Sequence, residues 1–356
     1  MPLGDLDDLD QFRLIVEQLE VCRDLVLRDA APKSRMALIL LDNAAEVILY
    51  RVSREALDYD EFARRIVPVR FSLKQRNAME RFFEPKLDCV ASKKEIDVGS
   101  VEMLRVLHRY RNAAVHRDTH NPAVIPILAR LAFLAVSRLF ASTRGGVRPS
   151  MAGGYTEPID WLAPYGLART FIDYETAAQQ IALQIQTRVE VLLGEAREGL
   201  AEDLRERVRR IHQVLSSELP LGDDTGRIDD MLKWFEFRNQ FPDLEYTLSE
   251  RYRSLRYKMG EGSGDQVARD EFVAAEEEFQ EYDAQFASYQ AQFTCGRLAT
   301  VGESIDSVGR ATAFNELLTA YAQIDETVTL YERLVGAARD SYEAQVQMEI
   351  DISRGK

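Results

Sequence analysis

Between Phe314 and Tyr342 the apolar residues fall at steps of three and four without a gap: Phe314, Leu317, Tyr321, Ile324, Val328, Tyr331, Val335, Ala338 and Tyr342. A seam with this mean step belongs to a long helix that has a partner along its length and supercoils with it to the left. A second seam lies just upstream, where Phe272, Phe279, Phe286 and Phe293 are spaced by seven and Ala275, Tyr282 and Tyr289 follow the first three at three residues. A short polar break separates the two. Together they predict an antiparallel, coiled-coil-like helical hairpin over about 266–352, roughly 40–50 Å long at a rise of 1.5 Å per residue. Aromatic stripes at this spacing are packing surfaces, so the region reads as a scaffold or partner surface.

The rest of the chain is helical as well, with apolar residues at helical spacing and no sustained period-two alternation. The predicted fold class is all-α. Helices are expected near 7–29, 33–56, 72–86, 98–117 and 122–142, the last opening on Asn121-Pro122 with Asn as cap and Pro in the first turn. The clearest break is TRGGVRPSMAGG at 143–154. It places a linker at 146–155, between a helical bundle over 1–145 and a helical C-terminal region over 156–356. Within the latter, Ala178, Ile181, Ile185, Val189, Leu192, Ala196, Leu200, Leu204, Val208, Ile211 and Leu215 form the stripe of one long helix over 175–216.

Composition bounds the function. Hydrophobic residues at 46% and charged ones at 29% describe a globular chain with a core. MALILL at 36–41 and the run Leu131–Val136 are too short to cross a bilayer. The acidic N-terminus lacks a secretory signal, and Cys22, Cys89 and Cys295 show no metal or disulfide spacing. The expectation is a cytoplasmic protein with no membrane association. Charge is uneven: residues 1–150 hold 24 Lys and Arg against 21 Asp and Glu, the remainder 21 against 38. Two basic zones stand out. Arg64–Lys94 has nine basic residues against three acidic, and Arg105–Arg148 has eight arginines against one acid. They read either as solvated faces or as a landing site for a polyanion.

The second zone holds three of the four histidines, in HRYRNAAVHRDTH (108–120). Within it Arg111-Asn-Ala-Ala-Val-His116 sets an arginine five positions before a histidine near a helix end. The spacing alone is cheap, since Arg207 and His212 repeat it in a charged helix, where both are expected at the surface. Context favours the first copy. Asn112 and Arg109 share a helix face with His116. Asp42 and Glu46 interrupt the apolar helix MALILLDNAAEVILY, and buried acids require cationic partners. These residues make a polar site inside a bundle, or a structural ion pair between helices. A zinc site at His116 and His120 lacks a nearby cysteine, and no nucleophile elbow, P-loop or GxGxxG is present. His108 and His120 read as solvated or capping residues.

The RNAAVH stretch, with a polar residue directly after the arginine, resembles the ribonuclease motif of the HEPN superfamily, and DNAAE resembles the acidic element often found upstream of it. The resemblance covers about residues 1–145. It implies a HEPN-like helical bundle, a metal-independent endoribonuclease acting as a toxin or antiviral-defence effector, and two motifs meeting across a homodimer. The implied catalytic residues are Arg111, Asn112 and His116, supported by Asp42, Glu46 and Arg109, with RNA as substrate and neither metal nor cofactor. A protein partner or antitoxin would bind the C-terminal helices. The tyrosine that carries inactivating modification in some HEPN toxins is Asp118 here, which argues against that control. The alternative reading is a non-catalytic helical adaptor or scaffold that binds protein or nucleotide partners. The chemistry suits the first: metal-free cleavage needs a base for the 2′-hydroxyl, an acid for the leaving 5′-oxygen, and a cation on the phosphorane. Histidine and arginine supply these functions, and a twofold dimer supplies the second histidine.

Overall fold

A computed structural model describes residues 8–64, 66–93, 96–116, 122–146, 159–167, 173–189, 191–219, 224–240 and 266–354. Among these the chain is all-α, with no strand. Its helices are α1 (Asp8–Val26), α2 (Ala31–Ala63), α3 (Leu73–Arg81), α4 (Phe83–Ser92), α5 (Val98–His116), α6 (Val124–Ser142), α7 (Tyr174–Gln186), α8 (Leu193–Gln213), α9 (Thr225–Gln240), α10 (Gln266–Ser288), α11 (Cys295–Arg310) and α12 (Phe314–Ser353). They form two compact units, Met1–Asp203 with Ser307–Ala322, and Leu204–Asp306 with Gln323–Lys356.

The first unit is built around α2. Ala37, Leu38, Leu41, Ala44, Ala45, Ile48, Leu49 and Val52 recur every three or four residues and are all buried. That stripe is wide enough to serve α1, α4, α5 and α6. α6 carries Ile125, Leu128, Leu131, Phe133, Leu139 and Phe140 into the same core. It is the one described helix long and apolar enough to cross a membrane, and two thirds of its most apolar window (67%) is buried in the bundle.

Several boundaries differ from those the periodicity predicts. α2 continues to Ala63, seven residues beyond expectation. The helix expected over 72–86 is two helices, because Pro85 has no N–H for the carbonyl of Arg81 and its ring would clash there; Phe82 accordingly turns to φ −114°, ψ 147°. α3 starts on a reciprocal capping box between Ser72 and Gln75. Ahead of it, the buried Asp60 carboxylate accepts hydrogen bonds from the Arg70 N–H at 2.7 Å and from Arg76 Nη2 at 2.6 Å. The Arg70 N–H is the main cause that holds Asp60 below the usual carboxylate range. The cap residue proposed for α6, Asn121, lies outside the described residues; the helix begins at Val124.

The break at 143–154 does not part the two units. Residues 159–203 belong to the first: Trp161 and Tyr174 pack on Phe12, and Tyr165 donates to Glu20 at 2.6 Å. Gly145 turns the chain just after α6. At φ +64° it lies where a Cβ would stand 2.8 Å from Phe140 Cε2 and 3.1 Å from Phe12 Cδ2. Gly145→Ala therefore combines left-handed strain with a ring clash and should cost about 2–4 kcal/mol in urea unfolding. Gly166→Ala has φ +71° but a nearest contact of 3.5 Å, and should cost only the strain, about 1–2 kcal/mol. Equal losses at the two positions would show that the packing at Gly145 is dispensable.

The single helix expected over 175–216 is also interrupted. α7 ends at Gln186, where the Thr187 N–H returns to Leu183 O and its hydroxyl to Gln184 O. α8 begins at Leu193 and closes in a π turn over Val214–Glu218. In the first unit α8 meets the start of α12: Arg197 donates to the Ala311 carbonyl at 3.1 Å and Tyr321 to Asp203 at 2.8 Å. Tyr321 also lies 5.8 Å from Tyr110, and Asn315 donates to Glu102 at 3.1 Å, so the start of α12 braces α5.

In the second unit the expected hairpin takes a different form. The first seam is broken after Ser288. Its aromatic residues Tyr282, Phe286 and Tyr289 pack edge-on around Phe237 of α9, at 5.2, 5.5 and 5.3 Å. The side chains of Phe272 and Phe279 lie outside the described set. Glu236 accepts from Tyr289 Oη and from the N–H groups of Gln292 and Phe293, and Asp229 accepts from the Cys295 N–H. These bonds fix the connector in which Phe293 sits, T-shaped against Tyr331. The second seam is buried, as Val328, Tyr331, Val335 and Ala338 show. The flank of α12 meets α8: Arg207 binds Asp325, Thr329 and Glu332, and Arg339 approaches Glu218. Numbers rise together along both segments, so this pairing is parallel.

Candidate functional site

α5 holds His108, Arg111 and Asn112 at i, i+3 and i+4, one face of a helix. That face meets Asp42 of α2, whose side chain is only 6% exposed. His108 Nδ1 is 2.8 Å from Asp42 Oδ1, and Asn112 Nδ2 is 3.3 Å from His108 Nε2. Arg111 Nη1 donates to Asn112 Oδ1 at 2.8 Å, and its Nε lies 3.2 Å from Asp42 Oδ2, a charge contact misaligned for a hydrogen bond. The four side chains close a ring. From α4, Phe83 stacks on the His108 imidazole at 3.9 Å and 3°. Beside the ring a cavity of about 10 Å³, the size of one water, is walled by Leu38, Ala45, Leu104, Leu107, Ala132 and Val136.

The expected partnership of Asp42 with Arg111 is present. Glu46 is placed elsewhere: Lys86 of α4, nearly buried, takes it at 3.0 Å. A helix turn separates Asp42 from Glu46, enough for α5 to claim one and α4 the other. Arg109 is exposed, so it stands off the ring. His116 is the last residue of α5; its side chain, with His120 and the sequence between, lies outside the described residues. His108, expected at the surface or as a cap, is instead the hub of the network. Its distance of four from Asn112 carried that information, but only a known partner helix turns a shared face into a site. Among the described residues no three His, Cys, Asp or Glu side chains converge as metal ligands.

The basic zones are partly neutralised within the fold. Arg76 pairs with Asp60, Arg64 with Glu61 and Lys93 with Glu55. Arg105 pairs with Glu84 and Asp88, and Arg130 with Asp29. Arg207, expected at the surface, is half-buried among carboxylates, while His212 is exposed. The three cysteines are free, and burial pushes the Cys22 thiol up to about 12.

Ring and bundle define an all-α protein with a polar, charge-bearing network buried at one helix–helix contact. No family model, curated protein or solved structure matches the chain.

Proposed function

We propose that the first unit is a HEPN-type, metal-independent endoribonuclease that cleaves RNA by attack of the 2′-hydroxyl and works as a homodimeric toxin or antiviral-defence effector in the cytoplasm. The observation that carries this reading is the contact of Asp42 with Arg111 within the last two turns of α5, the helix that ends on His116. It joins the upstream acid of the resemblance to its motif arginine. Arg111 grips the scissile phosphate, His116 moves the proton, and the His116 of a second protomer supplies the other acid–base group. The C-terminal helices hold the pair in register or receive an antitoxin.

A second reading, a non-catalytic adaptor, draws on the burial of Asp42 and the narrowness of the cavity beside it, both features of a structural ion pair. Binding separates the two. An RNA-binding dimer should show affinity that falls with salt, with a slope of about −0.7 per phosphate contacted on a single strand. Light scattering on the complex should give two chains per RNA. Binding that ignores salt, or none, favours the adaptor.

A further inference from the structure

We infer that His108 is a positioning residue: as a neutral imidazole protonated on Nδ1, it ties Asp42 to Asn112 and so holds the Arg111 guanidinium in the orientation that receives a phosphate. The last clause rests on the ribonuclease reading; the positioning does not.

The proton arrangement follows from the atoms. Arginine has only donors, so the Asn112 atom facing Arg111 must be the carbonyl oxygen. That assigns the amide, and its NH₂ faces His108 Nε2. A donor there requires a bare Nε2, which leaves the ring proton on Nδ1, pointing at Asp42 Oδ1. Asp42 keeps its second oxygen in charge contact with Arg111 Nε, without a hydrogen bond. One arrangement satisfies all three hydrogen-bonded links. An imidazolium would set its Nε2–H against the Asn112 NH₂; turning the amide to relieve that would present NH₂ to Arg111 instead.

The surroundings enforce the arrangement. Among the described residues, the charged groups that face His108 are Asp42 from α2 and, through Asn112, Arg111 from its own helix. α4 presents the Phe83 ring, and the cavity walls from α2, α5 and α6 are apolar. Stacking fixes the plane of the imidazole, while Asp42 and Asn112 fix its rotation within that plane. Arg111 Nε is buried against Asp42 although the side chain as a whole is 27% exposed. The inner edge of the guanidinium is thus occupied, and a phosphate meets its terminal nitrogens.

Three variants of the full chain test this: His108→Leu, Asn112→Leu and Asn112→Asp. The leucines break the ring. The aspartate accepts from both neighbours and rebuilds it around an imidazolium, with the same total charge. Cleavage should fall ten- to a hundredfold in kcat for both leucine variants with KM within threefold, whereas Asn112→Asp, which rebuilds the ring, should recover at least fivefold over Asn112→Leu. If Asn112 touched the phosphate directly, the added negative charge would make Asn112→Asp the worst of the three.

Nitrogen-15 spectra of protein labelled at histidine and arginine supply a readout independent of activity. Wild type should show His108 protonated on Nδ1 alone and a slowly exchanging Arg111 Nε–H. Asn112→Asp should show both imidazole nitrogens protonated with the Arg111 signal kept, and the leucine variants should lose that signal to solvent exchange. An unchanged Arg111 signal in folded His108→Leu, or a wild-type imidazole protonated on Nε2, overturns the inference. Should His108→Leu fail to fold, Asn112→Leu, at a half-buried position, carries the comparison. If wild type cleaves no RNA, the ribonuclease reading fails, and the spectra still decide whether His108 positions Arg111.

Discussion

Alanine at Arg111 or at His116 should each lower RNA cleavage by at least about a hundredfold, with chelator making no difference to wild type or variants. Arg111→Ala removes the fork proposed to brace the phosphorane, and His116→Ala removes the proton carrier. Arg111→Ala also strips Asp42 of its cation, leaving a buried carboxylate held by His108 alone. Its fold must therefore be checked by circular dichroism beside the assay. Arg111→Lys keeps the charge but cannot reach Asp42 and Asn112 at once, so it should fall between alanine and wild type. His212→Ala, at an exposed position in a repeat of the same spacing, should leave cleavage unchanged. Full activity in either the Arg111 or the His116 variant would end the assignment.

Arg207 carries the second large effect, and it falls on stability. Burial works against its charge, but hydrogen bonds and charge from Glu332 and Asp325 outweigh it and hold the guanidinium above its usual pKa. Three acceptors on α12, spaced 325, 329 and 332, meet this one side chain. Arg207→Leu removes this guanidinium from Asp325, which is only 9% exposed. Removing one member of a buried pair costs about 3–5 kcal/mol; with Glu332 partly in solvent, about 3 kcal/mol is expected here. Urea unfolding followed by a probe in the second unit reads this loss. A change under 0.5 kcal/mol would mean that the α8–α12 contact does not depend on the pair.

What was legible in the sequence divides along a physical line. Periodicity reports which face of a helix is apolar, so the all-α class and the extents of α5 and α6 could be read within two residues. Asp42 could be matched to Arg111 because a buried acid needs a cation and Arg111 shares its helix with the motif histidine. Periodicity does not name the partner of a face. Glu46 therefore went to Lys86 rather than to the motif, and Arg207, in a run of charges, proved to be half-buried among acceptors of α12. The seams around 272–293 and 314–342 both found partners, yet the first packs on Phe237 and the second runs parallel to α8. Each seam states that a partner exists, and chain order suggested the wrong one. Breaks were missed where one residue decides them. Pro85 was a visible signal, whereas the stop at Ser288 depends on Glu236 and Asp229 of another helix. The hub position of His108 belongs to the same class, since only the packing of α2 and α4 on α5 turns it inward.

The most direct test of the central claim is the chemistry of the ends. Purified protein is incubated with total RNA in the presence of a chelator, and the fragments are analysed for their termini. Attack by the 2′-hydroxyl predicts 2′,3′-cyclic phosphates on one side of each cut and 5′-hydroxyls on the other, formed by wild type and absent with Arg111→Ala and His116→Ala. Intact RNA, or fragments that bear 5′-phosphates and 3′-hydroxyls, would contradict the account.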